Sequence, residues 1–132
     1  QIDSPRSSWT YQYDKNIYNN LEFHESKKVL IDRMNLVYNL LKKNNIKMSL
    51  AVYPWPGTLY YDKSENIYSE MWKEFCNQRC NHFYDFNKIF FDKLEISNKN
   101  KVIDDYYIEG DFHFNENGSK VIADEFLKQY LN

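Results

Sequence analysis

The sequence predicts an α/β fold with parallel strand pairing, and three observations carry that prediction. Helical and strand-like segments alternate along the chain, in the order helix, strand, helix, strand, loop, helix. The run Ile46 to Tyr53, IKMSLAVY, is short, apolar and bounded by turn residues, as a buried strand of a parallel sheet would be. The stretch Gly110 to Leu131 sets a loop bearing Asp111 and His113 in front of an amphipathic helix.

With 132 residues the chain has room for one domain. Hydrophobic residues make up 42% and aromatics 18%, enough to bury a core, so a disordered tail is excluded. A formal net charge of -2 gives no electrostatic footprint for nucleic acid or an anionic membrane surface. No stretch approaches the roughly 18 apolar residues of a membrane span. The chain starts at Gln1 without a visible signal peptide, which reads as a processed or trimmed start. Cys76 and Cys80 lie four apart in a helical pattern. A disulfide inside a helix is unusual, so buried free thiols are expected. With His82 they make too thin a ligand set for a metal, and no metal or cofactor is expected.

Residues 1 to about 23 are polar and aromatic without clear periodicity. Ser4, Ser7 and Ser8 fall here and read as surface-loop residues; Arg6 and Trp9 have side chains suited to recognition. From about 24 to 44, Leu30, Met34, Val37 and Leu41 step at helical spacing and read as a core stripe. Lys42 and Lys43 suit the helix C-terminus, and Asn44 and Asn45 a left-handed cap. Pro54-Trp55-Pro56-Gly57 stops the following strand, because neither proline can donate a ladder hydrogen bond. That places Trp55 at the strand's C-terminal end, the edge where open α/β sheets build their sites. Trp55 is a candidate pocket wall.

Asp62 or Ser64 can cap a second helix to about Arg79, with Ile67, Met71, Phe75 and Cys76 inward. Asn81 to Phe86 reads as a second strand. Phe86 to Leu94 is mixed, a helical turn or loop. Ile96 to Asn100 reads as a turn, and Val102 to Ile108 as an extended lead into the loop. There, Asn115 or Asn117 can cap the last helix, whose Val121, Ile122, Phe126, Tyr130 and Leu131 share a face. His113, between Phe112 and Phe114, then sits just ahead of a helix N-terminus with an acid in reach. Those are the parts of a general base. The sequon Asn117-Gly118-Ser119 falls in this loop and reads as coincidence.

Asp111, His113, Asn115 and Gly118 form a block that resembles the last motif of the SGNH (GDSL-type) hydrolases. The segment Val52-Tyr53-Pro54-Trp55-Pro56 is similar to the strand after the third motif of some members. The resemblance implies a parallel-sheet, three-layer (flavodoxin-like) fold of which this chain is the second half. It implies His113 as the base for a serine nucleophile, Asp111 as its orienting acid, and Trp55 and Phe112 at the substrate. Many members place the acid three residues before the histidine, where this chain has Gly110; Glu109 is the alternative to Asp111. The family's Gly-Asp-Ser nucleophile has no counterpart, since Ile2-Asp3-Ser4 follows no strand.

The implied activity is hydrolysis or transfer of an acyl group, on a small-molecule or carbohydrate ester, in an extracytoplasmic setting. Two parallel strands make a poor sheet alone, so Ile46 to Tyr53 is expected to pair with an N-terminal half or a companion chain. A different class stays open: a non-catalytic carbohydrate- or protein-binding module, for which Trp55 and the aromatic content also suit. A structural Asp111–His113 bond in a degenerate domain is the third reading.

Overall fold

In the computed structural model, which describes residues 23–131, a two-stranded parallel sheet is set among six helices. Helix α1 (Phe23–Lys43) leads through a turn into β1 (Ser49–Val52). Helices α2 (Pro56–Tyr61) and α3 (Ile67–Cys76) precede β2 (His82–Asp85). Then come α4 (Asn87–Ile96), α5 (Lys99–Tyr106) and α6 (Glu116–Leu131). The fold is mixed α/β and mostly helical. Ser4, Arg6, Ser7, Ser8 and Trp9 lie outside the described residues.

The strands pair as the alternation requires. Ser49 faces His82 and Val52 faces Asp85, in parallel register. Leu50 and Phe83 lie on one face, packed on a cluster of Met48, Phe75 and Cys76 that also takes Ile31, Met34, Tyr38 and Leu41 from α1. Tyr84 lies on the other face, against Phe126 of α6 at 4.9 Å between ring centroids. A second cluster of Leu59, Phe90, Val102 and Tyr107 joins α2, α4 and α5 and receives Phe114, Val121 and Ile122.

Several expectations are corrected. The inward stripe of α1 is Ile31, Met34, Tyr38 and Leu41, whereas Leu30 and Val37 are exposed. Both sets recur at helical spacing, so the periodicity alone did not choose between them. Strand β1 is not covered on both faces: Ser49 and Ala51 are exposed, and among the described residues β1 pairs only with β2. The cap of α3 is Asn66, whose Oδ1 accepts from the Tyr68 and Ser69 amides at 3.1 and 3.0 Å. Ile67 is exposed, and Ser69 takes an inward position instead.

The segment 102–108 is helical through Tyr106, not extended. Asn98 caps α5 by accepting from the Lys101 amide at 2.9 Å, and Val102, Ile103, Tyr106 and Tyr107 all reach the second cluster. β-branched and aromatic residues favour strands only weakly; four of them spaced to share one helical face are placed by the core they bury in. The mixed segment after Phe86 is a full helix, α4, for the same reason: Phe90 is completely buried.

Cys76 and Cys80 are disulfide-bonded, not free. The in-helix geometry that argued against a bond does not apply. Helix α3 ends at Cys76, Gln78 turns the chain at φ 69°, and the two Cα atoms stand 4.7 Å apart. At the end of α1, Asn45 adopts the left-handed conformation, φ 57°, as its sequence position suggested.

Candidate functional site

The strand β1 delivers its chain into Pro54-Trp55-Pro56, and this corner is fixed on all sides. Pro54 is fully buried. Its carbonyl accepts a 2.6 Å hydrogen bond from the buried Tyr107 phenol. Trp55 stands at the N-cap of α2, with its carbonyl accepting from the Leu59 amide at 3.1 Å. Pro56 enters the first helical turn, where a missing N–H costs nothing.

The loop from Ile108 to Phe114 closes over that corner. Tyr107 and Phe114 form an antiparallel bridge, and the Ile108 amide donates to the His113 carbonyl at 3.0 Å. The Asp111 amide donates to the Ile108 carbonyl at 2.9 Å. Gly110 makes the turn at φ 74°, a conformation that costs glycine little and other residues more. The position where an acid at three before the histidine would stand is therefore committed to backbone geometry.

Asn115 holds the other end. Its Nδ2 donates to the Asp105 and Tyr107 carbonyls, each at 3.1 Å, while its Oδ1 accepts from the Gly118 amide at 3.0 Å. The Asn115 amide donates to the Tyr106 carbonyl at 3.1 Å. One side chain thus caps α6 and ties it to the end of α5. Gly118 is buried, and a Cβ there would collide with the Tyr106 carbonyl and the Phe114 side chain. Asn115 and Gly118 build the loop.

Within this frame, Nδ1 of His113 lies 2.9 Å from Oδ1 of Asp111. The same oxygen accepts from the Phe112 amide at 2.6 Å. That backbone bond, with the contact from His113, holds the Asp111 carboxyl below the usual carboxylate range against the opposing effect of desolvation. The ionised carboxylate only accepts, so it holds a proton on Nδ1 and leaves Nε2 as the acceptor of the neutral imidazole. The His113 side chain is 64% exposed. It can take a proton from a group presented to it.

All four residues singled out for the site come together. Trp55 stacks on Phe112, with centroids 4.7 Å apart and planes within 17°. Phe112 packs on the His113 ring at 4.3 Å. The acid bonded to the imidazole is Asp111, not the alternative Glu109, which lines a groove of about 460 Å³ on the Asp111 side of the loop, with Asp104, Ile103 and Pro56. Among the described residues no group of three or more His, Cys, Asp or Glu side chains could hold a metal ion. No helix among the described residues is long and apolar enough to cross a membrane.

Sequence reasoning missed two supports. Tyr107 is one. The other is a buried polar network at the exit of β2, where Asn87 Nδ2 donates to Ser69 Oγ at 2.7 Å and Asp85 Oδ1 at 2.9 Å. Asn66 Nδ2 donates to Asn87 Oδ1 at 3.3 Å. The signal was present only as polar residues among apolar neighbours. No protein-family model, curated protein or solved structure matches the chain.

Proposed function

We propose that this chain is the C-terminal part of an SGNH-type serine ester hydrolase or acyltransferase, with His113 as the base and Asp111 as its orienting acid. The 2.9 Å contact between Asp111 Oδ1 and His113 Nδ1 carries the reading. It supplies the tautomer that a base needs, on a loop beside the C-terminal end of a parallel strand. Helices α1 and α3 pack on one face of the two strands, and α6 reaches the other face at Tyr84 of β2. This supports a layered arrangement, with the N-terminal half of the domain, or a companion chain, adding strands beside β1.

The serine comes from that other half; among the described residues no serine hydroxyl bonds His113. His113 Nε2 takes the hydroxyl proton as the serine oxygen attacks the ester carbonyl. The imidazolium, stabilised by Asp111, returns the proton to the departing alkoxide. Water, or a sugar hydroxyl in a transferase, then takes the acyl group by the same steps in reverse roles. An acyl or sugar ring would lie beside the base, against the exposed part of Phe112. The binding-module reading has less support, because Phe112 already packs against both Trp55 and His113.

The test is intact mass spectrometry of the native protein before and after a fluorophosphonate. A longer parent or a companion chain should gain one adduct, and His113→Ala should lose it. Near-normal ester turnover by His113→Ala would remove His113 from the chemistry.

A further inference from the structure

We propose that Trp55 is a positioning residue for His113, acting through Phe112. The inference rests on His113 being the base. Three rings follow one another: Trp55 on Phe112 at 4.7 Å, Phe112 on His113 at 4.3 Å. The first ring is carried on a fixed stretch of backbone. Its backbone lies between a fully buried proline and the start of α2, with the carbonyl before it bonded to Tyr107. The last ring needs fixing, since its side chain is 64% exposed. An imidazole turns about its Cβ–Cγ bond in a broad, two-fold well. One hydrogen bond to a carboxylate that is itself 40% exposed is open to competition from water.

The backbone reinforces the arrangement. The Phe112 amide donates to Asp111 Oδ1, the oxygen that faces Nδ1 of His113. Phe112 therefore supplies both the ring face on which the imidazole rests and, through its amide, the donor that orients the carboxylate. Trp55 stacks on the outer member of this pair and sets where it sits. Through these contacts the exit of β1, distant in sequence, fixes the attitude of a base carried on a surface loop. Such control matters because proton transfer depends steeply on geometry.

The experiment compares Trp55→Ala, Trp55→Phe and Phe112→Leu in the intact protein by nitrogen NMR of the His113 ring and by steady-state kinetics. Trp55→Ala and Phe112→Leu should shift the imidazole from a single Nδ1–H tautomer to a mixture and weaken the Nδ1–H signal. Trp55→Phe, which keeps a stacking ring, should restore both. In the assembled enzyme, kcat should fall about tenfold in Trp55→Ala, with KM within about twofold of the parent. An unchanged ring spectrum in both Trp55→Ala and Phe112→Leu would overturn the proposal, as would a loss confined to KM, the mark of a substrate wall. The NMR arm needs no turnover. If His113→Ala stays active while the ring spectrum responds to Trp55, the catalytic reading fails and the positioning contact stands.

Discussion

The Tyr107 phenol donates a 2.6 Å hydrogen bond to the carbonyl of Pro54, joining residues 53 positions apart in the chain. The bond ties the exit of β1 to the exit of α5. Tyr107 also bridges to Phe114, so one residue anchors the strand end and both ends of the His113 loop. Burial pushes the phenol far above its ordinary pKa, which keeps it a donor at any pH at which the fold survives.

Tyr107→Phe should cost about 1–3 kcal/mol, because it leaves a buried carbonyl without its donor. Urea unfolding of the two proteins measures it. A stability equal to the parent's would mean that water replaces the phenol or that the bond does not form.

Gly118→Ala should be costlier than its single methyl suggests. The added carbon meets the Tyr106 carbonyl and the Phe114 ring, so α6 must shift from α5 at roughly 1–3 kcal/mol. Ser119→Ala, at an exposed position one residue on, should fall within about 0.5 kcal/mol of the parent. Equal effects at the two positions would contradict the close approach.

Alkali should destabilise the fold through two buried tyrosines. Burial pushes Tyr68 up to about 12, and Tyr107 further in the same direction. In the unfolded chain these phenols lose their protons near the ordinary value of 10.0. Above that pH the folded state binds more protons than the unfolded, so stability falls as pH rises. Denaturation midpoints should hold steady below about pH 10 and drop between about 10 and 12. Tyr68→Phe should flatten part of that drop; an identical slope in the variant would exclude Tyr68 as a contributor.

The Cys76–Cys80 bond closes a very short loop, so the chain entropy it removes is modest. Replacing both cysteines with alanine should cost about 2 kcal/mol. Alkylation followed by mass measurement should label neither cysteine until a reductant is added. Labelling without reductant would show that the thiols are free.

What could be read from the sequence was the local chemistry. Asp111 and His113 are two residues apart, so a tight loop brings them into contact wherever it is placed. Asn115 reaches Gly118 by the same short-range logic, and Asn45 caps α1 because amide residues tolerate a left-handed turn. The parallel pairing of β1 with β2 followed from two apolar runs separated by a helix, since a helical crossover favours parallel strands.

The tertiary structure decided whatever depended on which surface a residue met. Val102 to Tyr107 has strand-like residues, yet the cluster around Phe90 needed a helical face and took one. Leu30 and Ile31 are equally apolar neighbours on α1, and only contact with Met48 and Phe75 made Ile31 the inward one. Cys80 could be judged against Cys76 only once α3 was seen to end at Cys76. Trp55 was legible as a residue at a strand end, but its ring on Phe112 was not, because the two are 57 positions apart in the sequence. Hydrogen-bond reach and backbone sterics act over a few residues and are written in the chain. Burial is a property of the whole packed molecule, and it chose among the faces that the sequence left equivalent.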